Sequence, residues 1–221
     1  MKEQVIQFQF KARYYISGTL NQQTKNVWFV LHGYGQLAQY FIKKFNVLVD
    51  TETCVIAPEG LSRFYVEDLP TRTRTGNNRV GATWMTREDR LTDIENYCAY
   101  LTAIYKTELE KYPAVRVTVL GFSQGAATAT RWALDNRINF HRLILWSGIL
   151  PPDMDFEAGK RILTGKEFLV VYGNSDPFIT PERMREMQEL TLKLGITPEP
   201  VIFTGGHDID ESTLLQLKHL S

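Results

Sequence analysis

The side chain in this sequence best suited to act as a nucleophile is that of Ser123, in the stretch Thr118-Val-Leu-Gly-Phe-Ser-Gln-Gly-Ala-Ala127. The apolar, β-branched run from Val115 to Leu120 breaks at Gly121, and an alanine-rich stretch begins just after the serine. That order predicts a strand, a sharp turn and a helix, with the hydroxyl held at the tip of the turn. Gly121 and Gly125 answer a steric need: backbone on either side of so tight a turn comes too close for a Cβ at the flanking positions. A serine hydroxyl is a weak nucleophile. It needs a base to take its proton, an acid to orient that base, and N–H donors where negative charge develops on the attacked carbonyl oxygen.

Four histidines could supply the base. His207 follows the run Glu199 to Phe203, read as the last strand, and sits in Thr204-Gly-Gly-His-Asp, where two glycines let the chain swing an imidazole over the sheet edge. His32 is better explained by the architecture of a loop carrying N–H donors, His141 by entry to a strand, and His219 by a solvated helix end. For the acid, Asp176 in Tyr172-Gly-Asn-Ser-Asp-Pro-Phe lies just past a buried strand and before a helix. Asp153 and Asp155 compete with it from the end of another strand, whereas Asp208 and Asp210 are too near His207 in the chain to reach its far ring nitrogen. The run Leu31-His-Gly-Tyr-Gly-Gln closes a buried strand with a glycine turn, and the backbone amides of Tyr34 and Gln124 are the expected oxyanion donors.

Positioning these groups requires a sheet. Ile6, Phe8 and Phe10 alternate with polar residues, as do Tyr14 and Ile16, which predicts an antiparallel N-terminal hairpin at a sheet edge. The runs at 27–31, 54–57, 115–120, 143–146 and 168–172 are apolar without alternation, as expected of parallel strands covered on both faces. Helical spacing appears at about 37–49, 87–111, 124–136, 180–194 and 209–219. Strand and helix thus alternate after an antiparallel start, the pattern of a single α/β domain over residues 1–221. The stretch 58–86 reads as the longest irregular segment, with no helical or strand period. Its aromatics either pin it to the body or line a pocket, and Trp84 and Met85 are its candidate substrate contacts.

Composition bounds the function. Lys plus Arg equals Asp plus Glu at 25 each, so net charge offers no reason to expect a nucleic acid or an anionic membrane as partner. With 43% hydrophobic residues in 221, the chain can bury a sizeable core. Cys54 and Cys98 lie in segments read as buried, which suits a reducing, cytoplasmic setting. No signal region or membrane-spanning run is apparent. Neither metal-ligand spacing nor a phosphate-binding loop is present, so no metal or cofactor is expected. A homodimer stays open.

Leu31-His-Gly-Tyr-Gly, Ala57-Pro-Glu-Gly, Trp84, Gly121-Phe-Ser-Gln-Gly, Trp146-Ser-Gly, Gly173-Asn-Ser-Asp-Pro and Gly206-His207 together resemble the phospholipase/carboxylesterase group of α/β-hydrolases, which is similar to the acyl-protein thioesterases. The resemblance spans about residues 27–208 and implies an α/β-hydrolase fold without a separate cap domain. It also implies a triad of Ser123, His207 and Asp176, in a chain order that matches the fold, and cleavage of carboxylic ester or thioester bonds of a small-molecule or acyl substrate through an acyl-enzyme. The alternatives are another acyl-transfer enzyme on this fold, a serine peptidase or an acyltransferase, and a non-catalytic binding protein. Where relatives often carry Trp-Phe-Asp this chain has Trp84-Met-Thr, and where they often carry an acid after His-Gly-X-Gly it has Gln36. Both departures bear on the substrate.

Overall fold

Five consecutive residues of the strand Asn26–Leu31 are buried because the sheet is covered on both faces: Val27, Phe29 and Leu31 enter one apolar layer, Trp28 and Val30 the other. The computed structural model describes residues 1–220. Strands β1 (Tyr14–Ser17), β2 (Asn26–Leu31), β3 (Thr53–Pro58), β6 (Arg116–Phe122), β7 (Arg142–Trp146), β8 (Glu167–Gly173) and β9 (Val201–Phe203) form one sheet in the order β1-β3-β2-β6-β7-β8-β9. All pairings are parallel except β1 with β3.

One face is clothed by α3 (Arg90–Leu109), α4 (Gln124–Leu134), α5 (Phe156–Leu163) and α6 (Pro181–Lys193), which contribute Tyr97, Leu101, Trp132, Leu163 and Leu190 to its core. The other is clothed by α1 (Ala38–Phe41), the 3₁₀ helix Ile42–Leu48 that continues it, and α7 (Glu211–His219), through Phe41, Phe45, Leu48, Leu214 and Leu217. No helix among the described residues is long and apolar enough to cross a membrane.

Three expectations change. Residues 1–13 form no strand, so the N-terminal hairpin reduces to the single edge strand β1. Val5, Ile6 and Phe8 are exposed, since alternation makes a strand only where a face is available to bury it. The 58–86 stretch is structured: β4 (Ser62–Tyr65) pairs antiparallel with β5 (Val80–Thr83), and α2 (Leu69–Thr75) lies between them. Asp68 caps that helix by accepting from the Thr71 N–H, and Gly76, at φ +68°, ends it in the left-handed conformation. The period was hidden because each element is about one or two turns or pleats long, with β4 and α2 mostly exposed and β5 mostly buried. Helix α5, unexpected from the sequence, has Gly159 at its centre, a poor helix former. A Cβ there would lie 2.8 Å from Leu194 Cδ2, so the glycine that propensity penalises lets α5 pack without displacing that side chain.

Because residues 2–11 are exposed and carry no regular structure, their deletion should move the melting temperature by no more than about 2 °C. Differential scanning calorimetry checks this, and a loss of ~5 °C or more would mean that the segment packs on the body.

Candidate active site

Strand β6 ends at Phe122, and α4 begins at Gln124. Between them Ser123 sits at φ 53°, ψ −117°, outside the wells where L-residues rest. Such strain costs on the order of 1–3 kcal/mol and persists only where the surroundings impose it. Here they do. A Cβ on Gly121 would lie 2.1 Å from the Gly125 carbonyl oxygen, and one on Gly125 would lie 2.3 Å from that of Leu31. The Ser123 N–H donates to the Trp146 carbonyl at 2.9 Å, tying the turn to β7.

After β8 the chain turns through Asn174 and Ser175, whose N–H groups donate to the Phe203 and Gly205 carbonyls at 2.9 Å each. These bonds hold the segment following β8 against the segment following β9. Asp176, with its side chain fully buried, therefore meets His207: Oδ2 accepts from Nδ1 at 2.8 Å, while Oδ1 accepts from the Phe178 N–H at 2.9 Å. A carboxylate can only accept, so in the neutral imidazole the proton is on Nδ1 and Nε2 carries the lone pair. The imidazole packs against both Phe122 and Phe178, at ring-centroid distances of 4.8 and 4.6 Å. Phe122 is the residue before Ser123, so the histidine is brought to the elbow. The Ser123 hydroxyl and the imidazole are not hydrogen-bonded in this structure, a separation often seen in catalytic pairs before substrate draws them together.

The competing acids are engaged elsewhere. Asp153 pairs with Arg131 at 2.8 Å and with Arg90, and Asp155 caps α5 through the Ala158 N–H. Asp208 pairs with Lys44, and Asp210 caps α7.

The loop after β2 offers the other expected groups. The Gly33 N–H donates to Gln36 Oε1 at 2.8 Å, and that of Gly35 donates to the Ala82 carbonyl at 2.9 Å. The Tyr34 N–H lies between them and donates to no acceptor among the described residues. Gln36 accepts through Oε1 and so holds the loop. The Gln124 side chain has a role that sequence reasoning missed: its Oε1 accepts from the Trp84 N–H at 3.2 Å and its Nε2 donates to the Met85 carbonyl at 3.0 Å. It staples residues 84 and 85 to the start of α4.

His32 is wholly buried. Its Nε2 accepts from the Gly60 N–H at 2.9 Å, and Nδ1 donates to the Gly33 carbonyl at 2.8 Å. Burial outweighs that bond and pulls the imidazole down to about 4, so it is neutral at physiological pH. Its carbonyl accepts from Trp84 Nε1 at 2.8 Å, and the two rings lie 4.9 Å apart.

A cleft of about 480 Å³ opens beside Ser123 and is lined by Met85, Arg87, Gln124, Ser147, Phe178 and Arg183, among others. Met85 is among the residues lining the cleft. Trp84 is not: it is 2% exposed, in the core against His32 and Tyr97, and its indole N–H is used up inside the protein. Of the two roles open to the aromatics of this segment, Trp84 has the pinning one. Among the described residues no cluster of His, Cys, Asp and Glu could hold a metal ion.

The model of the phospholipase/carboxylesterase family matches residues 18–220. Solved structures share the fold at low identity. Acyl-protein thioesterase 2 of Zea mays superposes with a TM-score of 0.70 at 17% identity, over 95% of this chain and 97% of that one. Esterase PE8 does so at 0.67 and 21%, over 96% and 98%, and the Bacillus cereus carboxylesterase at 0.66 and 16%, over 95% and 92%. No curated protein matches the chain.

Two expectations follow from the geometry. Trp84→Ala should cost about 3–5 kcal/mol of stability and leave the dependence of kcat/KM on acyl length unchanged across p-nitrophenyl esters, whereas Met85→Ala should alter that dependence. Denaturant titration and the ester series read the two effects separately. His32 binds its proton in the unfolded chain near the ordinary value of 6.5 but in the folded chain only near 4. Stability is therefore complete above about pH 6.5 and should fall by up to ~3 kcal/mol as pH drops toward 4. His32→Gln, less stable at neutral pH, should lose less on that descent, which urea titrations at several pH values would show.

Proposed function

This chain belongs to the phospholipase/carboxylesterase family and is a hydrolase, and we propose that it cleaves carboxylic ester and thioester bonds through Ser123, His207 and Asp176 by way of an acyl-enzyme. The observation that carries this reading is the Asp176–His207 pair, bonded at 2.8 Å and packed on the residue preceding Ser123. With the Nδ1 proton committed to Asp176, Nε2 is the ring nitrogen able to take the Ser123 proton as the hydroxyl attacks the carbonyl carbon. The buried carboxylate then stabilises the imidazolium. The unengaged Tyr34 N–H and the Gln124 N–H, at the positive end of α4, are the donors suited to the oxyanion.

Collapse of the tetrahedral adduct expels the alcohol or thiol, which takes its proton from His207, and leaves the acyl group on Ser123. Water, deprotonated by the same imidazole, releases the acid and restores the serine. Both cysteines are free and buried, which supports a reducing, cytoplasmic setting.

A fluorophosphonate probe should label Ser123 in the wild-type protein, with the adduct located by peptide mapping, and Ser123→Ala should abolish both labelling and hydrolysis of p-nitrophenyl acetate. Asp176→Asn should fold normally and lose on the order of 10⁴-fold in kcat, as when the orienting carboxylate of a triad is lost. Near-full activity in either variant would overturn the assignment.

A further inference from the structure

The cleft beside Ser123 has a one-sided charge. Arg87, Arg131 and Arg183 line it, and no lining residue is acidic. Arg131 is committed: it pairs with Asp153 at 2.8 Å and has little exposed side chain. Arg87 and Arg183 are exposed and make no ion pair among the described residues. They come from separate elements, the residues before α3 and the first turn of α6, so two cations converge on one cleft from two parts of the chain. Of the carboxylates near them, Glu182 pairs with Arg185 and Asp153 with Arg131 and Arg90, while Glu88, Asp89 and Glu186 are not among the residues lining the cleft.

Ser147 carries a second, independent signal. It lines the same cleft at 4% exposure, its backbone is held at φ +50°, and its Oγ is buried with no hydrogen-bond partner. A buried hydroxyl without a partner is unfavourable, and this one belongs to a residue that borders the space a substrate would fill.

We propose that the cleft binds the acyl part of the substrate and selects acyl groups that end in an anion, such as the half-esters or half-thioesters of dicarboxylic acids. The proposal rests on Ser123 being the nucleophile. The leaving group must depart beside the imidazole that protonates it. His207 is not among the residues lining the cleft, whereas Phe178, whose ring packs on the imidazole at 4.6 Å, is. The space beyond Ser123 on the cleft side is then left to the acyl chain, with Ser147 near its carbonyl end and the two free guanidinium groups toward its distal end.

The test compares mono-p-nitrophenyl adipate with p-nitrophenyl hexanoate, and the suberate half-ester with the octanoate, each enzymatic rate being corrected for spontaneous hydrolysis. Within at least one pair kcat/KM should favour the anionic ester by about tenfold at low salt, and the preference should shrink at ~0.5 M NaCl as the charges are screened. The double variant Arg87→Gln, Arg183→Gln should lower the anionic-to-neutral ratio by about tenfold, read as a ratio so that a general loss of activity does not count. Equal turnover within both pairs, or a ratio unmoved by the double variant, overturns the proposal. So does a stronger preference for 4-acetoxybenzenesulfonate, which would put the anion on the leaving group. If the neutral esters turn over without preference, this inference alone fails. If Ser123 takes no fluorophosphonate label and no ester turns over, the reading it rests on fails as well.

Discussion

Three backbones meet at the turn carrying Ser123 with no room for a side chain between them. β6 and the first turn of α4 touch at Gly121 and Gly125, and the end of β2 closes on Gly125, each at distances a Cβ could not tolerate. That contact brings a strained serine, the start of a helix and the loop after β2 to one point at the carboxyl edge of the sheet. The neighbouring strand supports the same turn, since a Cβ on Gly148 would lie 2.6 Å from the Ser123 carbonyl oxygen. The strain at Ser123 is therefore offset by packing shared among β2, β6, β7 and α4, rather than by any bond of the serine's own side chain.

A second set of contacts fixes the loop after β2. His32, buried and neutral, links Gly33 to Gly60, and its carbonyl takes the Trp84 indole N–H. Gln124 takes the Trp84 backbone N–H from the other side. Glu59, itself buried, is neutralised by Arg13 and Arg63 and accepts from the Ala38 N–H. The β4–α2–β5 insertion is thus fastened at one end to His32 and at the other to His32 and to Gln124, the residue after Ser123. Its first duty is to brace the loop that presents Tyr34, and only Met85 and its next neighbours reach the cleft. Cleft lining and loop support are divided between adjacent residues, Met85 and Trp84.

Much of this was legible in the sequence. Runs without alternation announced buried parallel strands because a strand covered on both faces has no polar side to show. The glycines around Ser123 announced a turn because close backbone approach admits no other residue. The order of serine, aspartate and histidine needed only chain positions, and a turn after a buried strand is where such groups can face one another. Short elements were less legible. α2, β4 and β5 are too brief to carry a period, α2 and β4 being mostly exposed as well, and residues 5–10 carry one with no face to bury it against.

What the sequence by itself determined is the set of groups and the class of sheet, since both follow from local composition and spacing. Tertiary structure alone decided the pairings. Asp176 rather than Asp153 meets His207 because the segments after β8 and β9 are bonded to each other, while Asp153 is captured by Arg131 and Arg90. It also decided that Trp84 packs behind the site and Met85 within it, and that Arg87 and Arg183 converge although nearly a hundred positions separate them. Spacing along a chain constrains neighbours within a turn or a pleat. Which distant residues share a cavity depends on how the strands are ordered and how the helices pack, and no local pattern encodes that.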